Sequence, residues 1–478
     1  MSARLGDALG AAPAVRAAIE ALGERDDAWI VGGAVRDAAL GREVVDADLA
    51  VAGDPAAAAR AIGKAAGGPA FILSEEFGTW RAVGPDWHVD VTSLRGGSID
   101  ADLALRDFTI NSVAVRLADP AAPPLDPTDG LGDLEAKRLK AASARSFADD
   151  PLRVLRAARL ASTLGLELDQ GTVELARAAA DRAGEPAGER QLAELRLLIT
   201  GADPIRGLSL LDELGATEAV LPELQTLQGV EQNPNHHLDV YSHTIEVLRQ
   251  LLEVESDLER YAGDRAAEAA DLLAEPLADD MTRGGALRFG AVVHDMGKPA
   301  TRGRHGDYIT FIGHDREGAV IVAELCERLK TSRRLARHLQ GLTVHHLRLG
   351  FMIRERPLPR RRFYEYLRET DPVSADVTLL TVADRLAARG EGPIAGPEMV
   401  QAHLDLAREM LAAALDWRRD GPPRSPIPGD ELAAALDIEP GPELGRIIGE
   451  LEAAVYAGEV TGRDDAITFA RRLEAAPR

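Results

Sequence analysis

The sequence predicts an α+β protein in which a small mixed-sheet head comes first and almost everything after it is helical. Strand-like and helix-like patterning alternate only between residues 28 and 145, and helical periodicity runs nearly unbroken from about Phe147 onward. Aromatic residues make up 4% of the chain and Ala is abundant, a composition that favours helix over sheet. With 478 residues the chain exceeds what one hydrophobic core ordinarily holds, so several domains are expected.

Taken in order, Ala28 to Val31 reads as a short buried strand, Asp46 to Val51 as a second, and Trp87 to Thr92, which alternates, as a third. Ala34 to Leu40 reads as a helix beginning at Gly32-Gly33. Val154 to Leu164, Thr172 to Ala183, Leu192 to Thr200 and Pro204 to Leu214 follow as helix candidates, each bounded by Gly, Pro or Asp. A unit from about Gly229 to Arg389 holds nine of the eleven histidines. Gly390 to Pro397, rich in Gly and Pro, separates it from a tail that has its own linker, Gly421 to Pro426. The expected division is a head over 1–145, a helical neck over 146–228, a histidine-rich domain over 229–395 and a helical tail over 396–478. No internal repeat has a solenoid period.

Cys326 is the sole cysteine, which excludes an intramolecular disulfide framework and a Cys-based zinc cluster. No charged segment followed by an apolar core opens the chain, and no run of about 18 apolar residues occurs, so a cytoplasmic location is expected. A net charge of −23 opposes general attraction to a phosphate backbone. Arginines nevertheless gather at 153, 156 and 159, from 328 to 337 and from 354 to 368, while Glu253 to Asp280 is acidic. Such clusters also suit solvated helix faces, so the chemistry of the sites must decide.

The strongest chemical signal is Gly32-Gly33-Ala34-Val35-Arg36-Asp37 followed by Asp46-Ala47-Asp48. A diglycine between strand and helix lets backbone N–H groups approach a phosphate. Two carboxylates two apart on a strand share a face, as a hard ion such as Mg²⁺ requires. Alone, this would also describe an acidic strand edge. In the same order come Arg106-Asp107-Phe108-Thr109-Ile110-Asn111-Ser112, then Asp126-Pro127-Thr128-Asp129-Gly130 with Gly132-Asp133-Leu134, and Asp149-Asp150-Pro151-Leu152-Arg153 with Arg156-Ala157-Ala158-Arg159. This series resembles the class II tRNA nucleotidyltransferases and bacterial poly(A) polymerases, members of the DNA polymerase β-like superfamily.

The resemblance implies two-metal phosphoryl transfer to an RNA 3′-hydroxyl, with Asp46 and Asp48 holding Mg²⁺ and Asp90 as a third carboxylate. It also implies a nucleotide site built from Gly32, Gly33, Arg36, Arg106, Asp107, Asn111, Asp150, Arg153, Arg156 and Arg159, with tRNA, CTP and ATP as partners. Asp150 and Arg153, three apart at a helix start, are expected to face one pocket. There an acceptor-only carboxylate and a donor-only guanidinium match both cytosine and adenine and mismatch uracil and guanine. Asp149 stands where the family usually has Glu. The segment Val91 to Leu105 is short, as in members of the family that add only CC, so CC addition stands beside full CCA addition as an expectation.

The second constellation is His243, His294-Asp295 and Asp384, which resembles the ligand order of the HD metal-dependent phosphohydrolases. Imidazole with carboxylate suits a divalent transition metal. His314 together with His345 or His346 would serve a second ion, and His345 is carried forward in that role. By this resemblance the module hydrolyses phosphomonoesters or 2′,3′-cyclic phosphates; a metal site that only stabilises helices is the alternative. His88, His305, His338 and His403 read as ordinary surface or core residues, and His236 and His237 as a loop near the first ligand. Three rivals to tRNA nucleotidyl transfer stand open: poly(A) polymerase, an HD nucleotidase with an inactive head, and an acidic RNA-binding scaffold.

Overall fold

Residues with β-branched and apolar side chains in the first 116 positions assemble into six short strands, β1 (Ala28–Val31), β2 (Ala47–Val51), β3 (Ala70–Ser74), β4 (Thr79–Val83), β5 (His88–Ser93) and β6 (Ala114–Arg116). They form one sheet in the order β3-β4-β5-β2-β1-β6. The structure is a computed structural model that describes residues 2–23, 25–75, 78–393 and 395–475. It divides into two units, Met1–Val220 and Leu221–Arg478.

In the first unit β2 pairs with β5 in parallel and every other neighbour pair of the sheet is antiparallel. The period of two then sorts side chains by face. Leu49 and Val51 of β2 and Val89 and Val91 of β5 join the main core, which includes Leu9, Val15, Ile30, Val35, Ile62 and Leu117. Asp48 and Asp90, one residue out of phase, point to the other side, where Val31, Ala50, Leu103 and Ala114 form a smaller cluster.

All three expected strands exist, two of them shifted by a residue, so that Asp46 precedes β2. Three strands of this sheet were not foreseen. β3 does not alternate and leaves Phe71, Ile72 and Leu73 exposed, and β6 spans only three residues. Helix α1 (Gly33–Ala39) follows β1 directly. After the sheet come α2 (Arg153–Leu164), a helix over Gln170–Arg177, α3 (Gly188–Ile199) and a helix over Pro204–Glu213. The expected helix from 172 to 183 starts earlier and is broken. Asp169 caps it by accepting from the N–H groups of Gly171 and Thr172, and Ala179 leaves the helical region before a separate turn over Ala180–Arg182.

The second unit is helical apart from two short hairpins. Helix α4 (Val240–Ser256), capped by Asp239, packs on α5 (Arg283–Val293) and on α8 (Ser374–Ala387), and α6 (His314–Arg328) packs on α7 (Arg333–His345). Helix α9 (Pro397–Asp420) lies against α8, and three further helices share a small core of Ile427, Leu432, Ile447, Leu451 and Val460. Among the described residues no helix is long and apolar enough to cross a membrane.

One close approach is demanding. A Cβ at Gly130 would lie 2.0 Å from the Thr109 carbonyl oxygen, so the short helix Gly130–Glu135 reaches the turn Thr109–Asn111 only because position 130 has no side chain. Gly130→Ala is therefore expected to destabilise the first unit by roughly 1–3 kcal/mol, visible as a lower urea midpoint; an unchanged midpoint would mean that the turn yields freely.

Candidate active sites

In the first unit the parallel register of β2 and β5 places Asp48 beside Asp90. Asp90 is held by Arg81, its partner across β4, through two hydrogen bonds of 2.7 and 2.8 Å. Asp46, one step before the ladder, accepts from the backbone N–H of His88 at 2.8 Å and lies 2.8 Å from its Nδ1. Asp48 forms neither a hydrogen bond nor an ion pair with the described residues. Asp48 is exposed at the surface, yet protein atoms still displace part of the water around its carboxylate. That loss of water, with Asp90 adding like charge, holds its carboxyl above the usual range against the pull of Arg106.

Gly32, at φ +71, lies against this carboxylate: a Cβ there would lie 3.0 Å from the Arg106 guanidinium and 3.2 Å from Asp48 Oδ2. Only glycine suits both the backbone angle and the space. Asp46, Arg81 and His88 line an open groove of about 410 Å³.

Arg106 is aimed by a residue that the sequence reading missed. Asp102 is fully buried; it accepts from Arg106 Nε and Nη2 at 3.0 and 2.9 Å and from Arg95 Nε at 2.9 Å. The spacing of four between Asp102 and Arg106 was the available signal. Arg36 pairs with Asp37 and donates to Asn111 Oδ1 at 2.9 Å. Asn111 donates to Asp107 at 3.0 Å, and Arg156 donates to Asp107 at 2.5 Å and to Glu194 at 2.8 Å. Arg159 closes the chain on Glu194 at 2.5 Å. Burial would raise the Asp107 carboxyl, but Arg156, Asn111 and the Phe108 N–H outweigh it and hold it well below the usual range. Glu194, on α3, carried no signal in the sequence.

Asp150 and Arg153, expected to face one pocket, each hydrogen-bond to other partners in this arrangement. Asp150 is extended at φ −149, as the residue before Pro151 should be, and α2 begins only at Arg153. Arg153 donates to the carbonyls of Leu105, Arg106 and Ser146 at 3.0 to 3.2 Å, and Asp150 pairs with Arg190 at 2.7 Å.

In the second unit two groups of potential ligands meet, His243 with His294 and Asp384, and Asp295 with His314 and His346. His294 and Asp295 stand in the turn that ends α5. Gly297 lets that turn touch α6, because a Cβ there would lie 2.2 Å from the His314 carbonyl oxygen. The Nδ1 atoms of His294, His314 and His346 lie 2.8, 2.7 and 2.7 Å from the carbonyls of Ala291, Phe311 and Thr343. Donation there leaves each Nε2 lone pair facing the centre, the arrangement that orients metal-binding imidazoles.

Asp295 lies between the groups, 3.3 Å from His294 Nε2, 3.4 Å from His314 Nε2 and 3.7 Å from both His243 and His346 Nε2. Both of its oxygens and His294 Nε2 are buried without a well-directed hydrogen bond, even though Lys298 Nζ comes within 2.6 Å of Asp295. Buried polar atoms left in this way fit a bound divalent ion. Burial pushes His346 down to about 3, which keeps it neutral as a ligand must be.

His345 stays outside this cluster. It is the last residue of α7 and only half-buried, whereas the next residue, turned about 100° further round, enters it. His236, read as loop, meets His243 edge to face with ring centroids 4.7 Å apart, and His403, read as ordinary, is almost fully buried.

Residues 28–140 match the family model of the poly A polymerase head domain, 165–227 that of the probable RNA and SrmB-binding site of polymerase A, and 240–389 that of the HD domain. The chain is 36% identical to the A-adding tRNA nucleotidyltransferase of Deinococcus radiodurans over 93% of its own length and 95% of that protein. It is 32% identical to the CC-adding tRNA nucleotidyltransferase of Thermus thermophilus over 93% of each. The fold is shared with the Thermotoga maritima CCA-adding enzyme complexed with tRNA, at a TM-score of 0.59 and 18% identity over 96% of this chain and 94% of that one.

Burial, with Arg385 nearby, pushes the His403 imidazole down to about 4. The unfolded chain takes up that proton near the ordinary value of 6.5, so stability falls as pH drops from about 6.5 to about 4, by at most roughly 1.4 kcal/mol per unit. Urea unfolding of the metal-free protein across this window should show the slope, and His403→Gln should flatten it; equal slopes would mean that His403 titrates freely when folded.

Proposed function

The chain belongs to the family of tRNA nucleotidyltransferases that join a poly(A) polymerase head to an HD domain, and on that footing we propose that it adds C or A, without a nucleic-acid template, to tRNA 3′ ends from CTP and ATP. The observation that carries this reading is Asp48, left without a partner beside Asp90 and against the bare backbone of Gly32. Asp46 and Asp48 would hold Mg²⁺, because two oxygen donors with little cationic compensation are what a hard ion seeks. Bound there, Mg²⁺ supplies positive charge where phosphoryl transfer builds negative charge.

The protein's own residues do the positioning. Arg81 holds Asp90 in place, and Asp102 aims Arg106 toward Asp48. Gly32, Gly33, Arg36, Arg106, Asp107 and Asn111 form the triphosphate side. Asp150 and Arg153 read the base after exchanging partners, Asp150 leaving Arg190 and Arg153 leaving the carbonyls of Leu105 and Arg106. Arg156 and Arg159, locked to Asp107 and Glu194, hold that side rigid. We assign the catalytic head to 1–145, the neck to 146–228, the HD domain to 229–395 and the tail to 396–478; the family matches at 28–140, 165–227 and 240–389 fall within these spans. The HD domain would take a divalent transition metal on His243, His294, Asp295, Asp384, His314 and His346 and hydrolyse phosphomonoesters or 2′,3′-cyclic phosphates.

Two observations bear on the product. The segment after Asp90 is short and folded, a turn over Arg95–Gly97 and a helix over Ile99–Ala104 pinned through Asp102, which favours CC addition. Similarity along nearly the whole chain to an A-adding enzyme favours addition of A to a CC end. Supplying tRNAs that lack CCA or end in CC, with CTP and ATP separately, and sequencing the 3′ ends decides between them. CC addition predicts growth of the first tRNA with CTP and no terminal A on either.

Asp48→Asn is expected to reduce incorporation by on the order of 100-fold or more while leaving phosphomonoester hydrolysis intact. Undiminished incorporation would end the proposal.

A further inference from the structure

The parallel ladder of β2 and β5 pairs Ala47 with Val89 and Asp48 with Asp90. Carried one step back, the same register sets Asp46 opposite His88, the first residue of β5. His88 lies two residues before Asp90 on an alternating strand, so its ring leaves the sheet on the side that carries the acids. On β4 the cross-strand neighbours are Arg81 for Asp90 and Val83 for His88. The guanidinium is thus committed to Asp90, and an apolar side chain stands beside the imidazole. The turn between these strands is stiff. The Gly84 N–H donates to the Trp87 carbonyl at 2.8 Å, and a Cβ at Gly84 would lie 2.2 Å from the Trp87 ring, which therefore packs on bare backbone next to His88.

Asp46 precedes the ladder, so strand pairing does not fix it. Among the described residues its carboxylate forms hydrogen bonds or ion pairs only with His88, whose backbone N–H donates to Oδ1 at 2.8 Å and whose Nδ1 lies 2.8 Å from the same oxygen. Both contacts fall on Oδ1. The two side chains are 46% and 30% exposed, and a contact so open to water adds little to stability. Its effect lies in direction: with Oδ1 engaged the carboxylate no longer turns freely, and Oδ2 is the oxygen left to an ion. An imidazole N–H orients a carboxylate without the full cancelling charge that a guanidinium brings, as partners behind a metal ligand do.

We propose that His88, which the sequence presents as an ordinary residue, is the positioning residue of the ion site in the first unit: its Nδ1 fixes Oδ1 of Asp46 so that Oδ2 meets Mg²⁺ together with Asp48. The assignment rests on the reading of Asp46 and Asp48 as ion ligands. It gives the three acids three different partners, a guanidinium for Asp90, an imidazole for Asp46 and the ion itself for Asp48.

The test measures Mn²⁺ binding to the full chain by electron paramagnetic resonance of the free ion, with urea unfolding of each metal-free variant alongside. The ion lost in Asp48→Asn marks this site and separates it from any ion held by the HD domain. His88→Ala is expected to weaken that ion by about tenfold or more and to leave the urea midpoint unchanged. His88→Asn, whose amide nitrogen can stand where Nδ1 stood, is expected to restore most of the affinity, whereas His88→Gln, with its amide one carbon farther out, is not. Should His88→Ala not fold, the contrast between the Asn and Gln variants carries the test. Affinity unchanged in His88→Ala, or equal in the Asn and Gln variants, overturns the assignment while the ion ligands stand. A loss of affinity that tracks a fall in the urea midpoint also overturns it, in favour of a structural role. No ion lost in Asp48→Asn ends the reading of the ligands, and the assignment with it.

Discussion

Parallel pairing of β2 with β5 brings two aspartates side by side, and much of the first unit answers the charge this concentrates. Like charges at that spacing repel, and water that would screen them is partly excluded, so each must meet a cation or hold a proton. Arg81 satisfies Asp90. Arg106 stands near Asp48 without pairing with it, because Asp102 has claimed its guanidinium. The outcome is one committed acid and one available acid, which is the division that an ion-binding site needs.

The same economy runs from α1 to α3. Arg36, Asn111, Asp107, Arg156, Glu194 and Arg159 alternate donor and acceptor through direct hydrogen bonds, one of them buried and the others partly so. Each guanidinium satisfies an acid that would otherwise be stranded, so the arginines at 156 and 159 serve the interior before they serve a ligand. Arginines further along behave alike: Arg328 pairs with Glu223, Arg361 with Glu459 and Arg362 with Glu355. Several arginines of the local basic clusters are therefore neutralised by the chain's own carboxylates.

In the second unit the organising device is the backbone. Three carbonyls, from Ala291, Phe311 and Thr343, each fix one imidazole, and a buried carboxylate that none of them fully satisfies sits between the rings. Glycine at 297 makes this possible by letting the turn that carries Asp295 touch the start of α6.

Local pattern was enough for the sequence to determine the α+β class and the strands carrying Asp48 and Asp90, since periodicity records which face of an element a side chain occupies, whereas His243, His294, Asp295 and Asp384 were grouped through resemblance to the HD phosphohydrolases. The α2 boundary shows where that record stops. Asp150 and Arg153 lie three apart, yet Pro151 keeps Asp150 out of the helix, and the two side chains take different partners. His345 and His346 are adjacent in the chain, and only the rotation of a helix end separates the ligand candidate from its half-exposed neighbour. Arg81, Glu194 and Arg190 gained their roles through contacts between distant segments. Burial and partnership are properties of packing, and packing alone decided them.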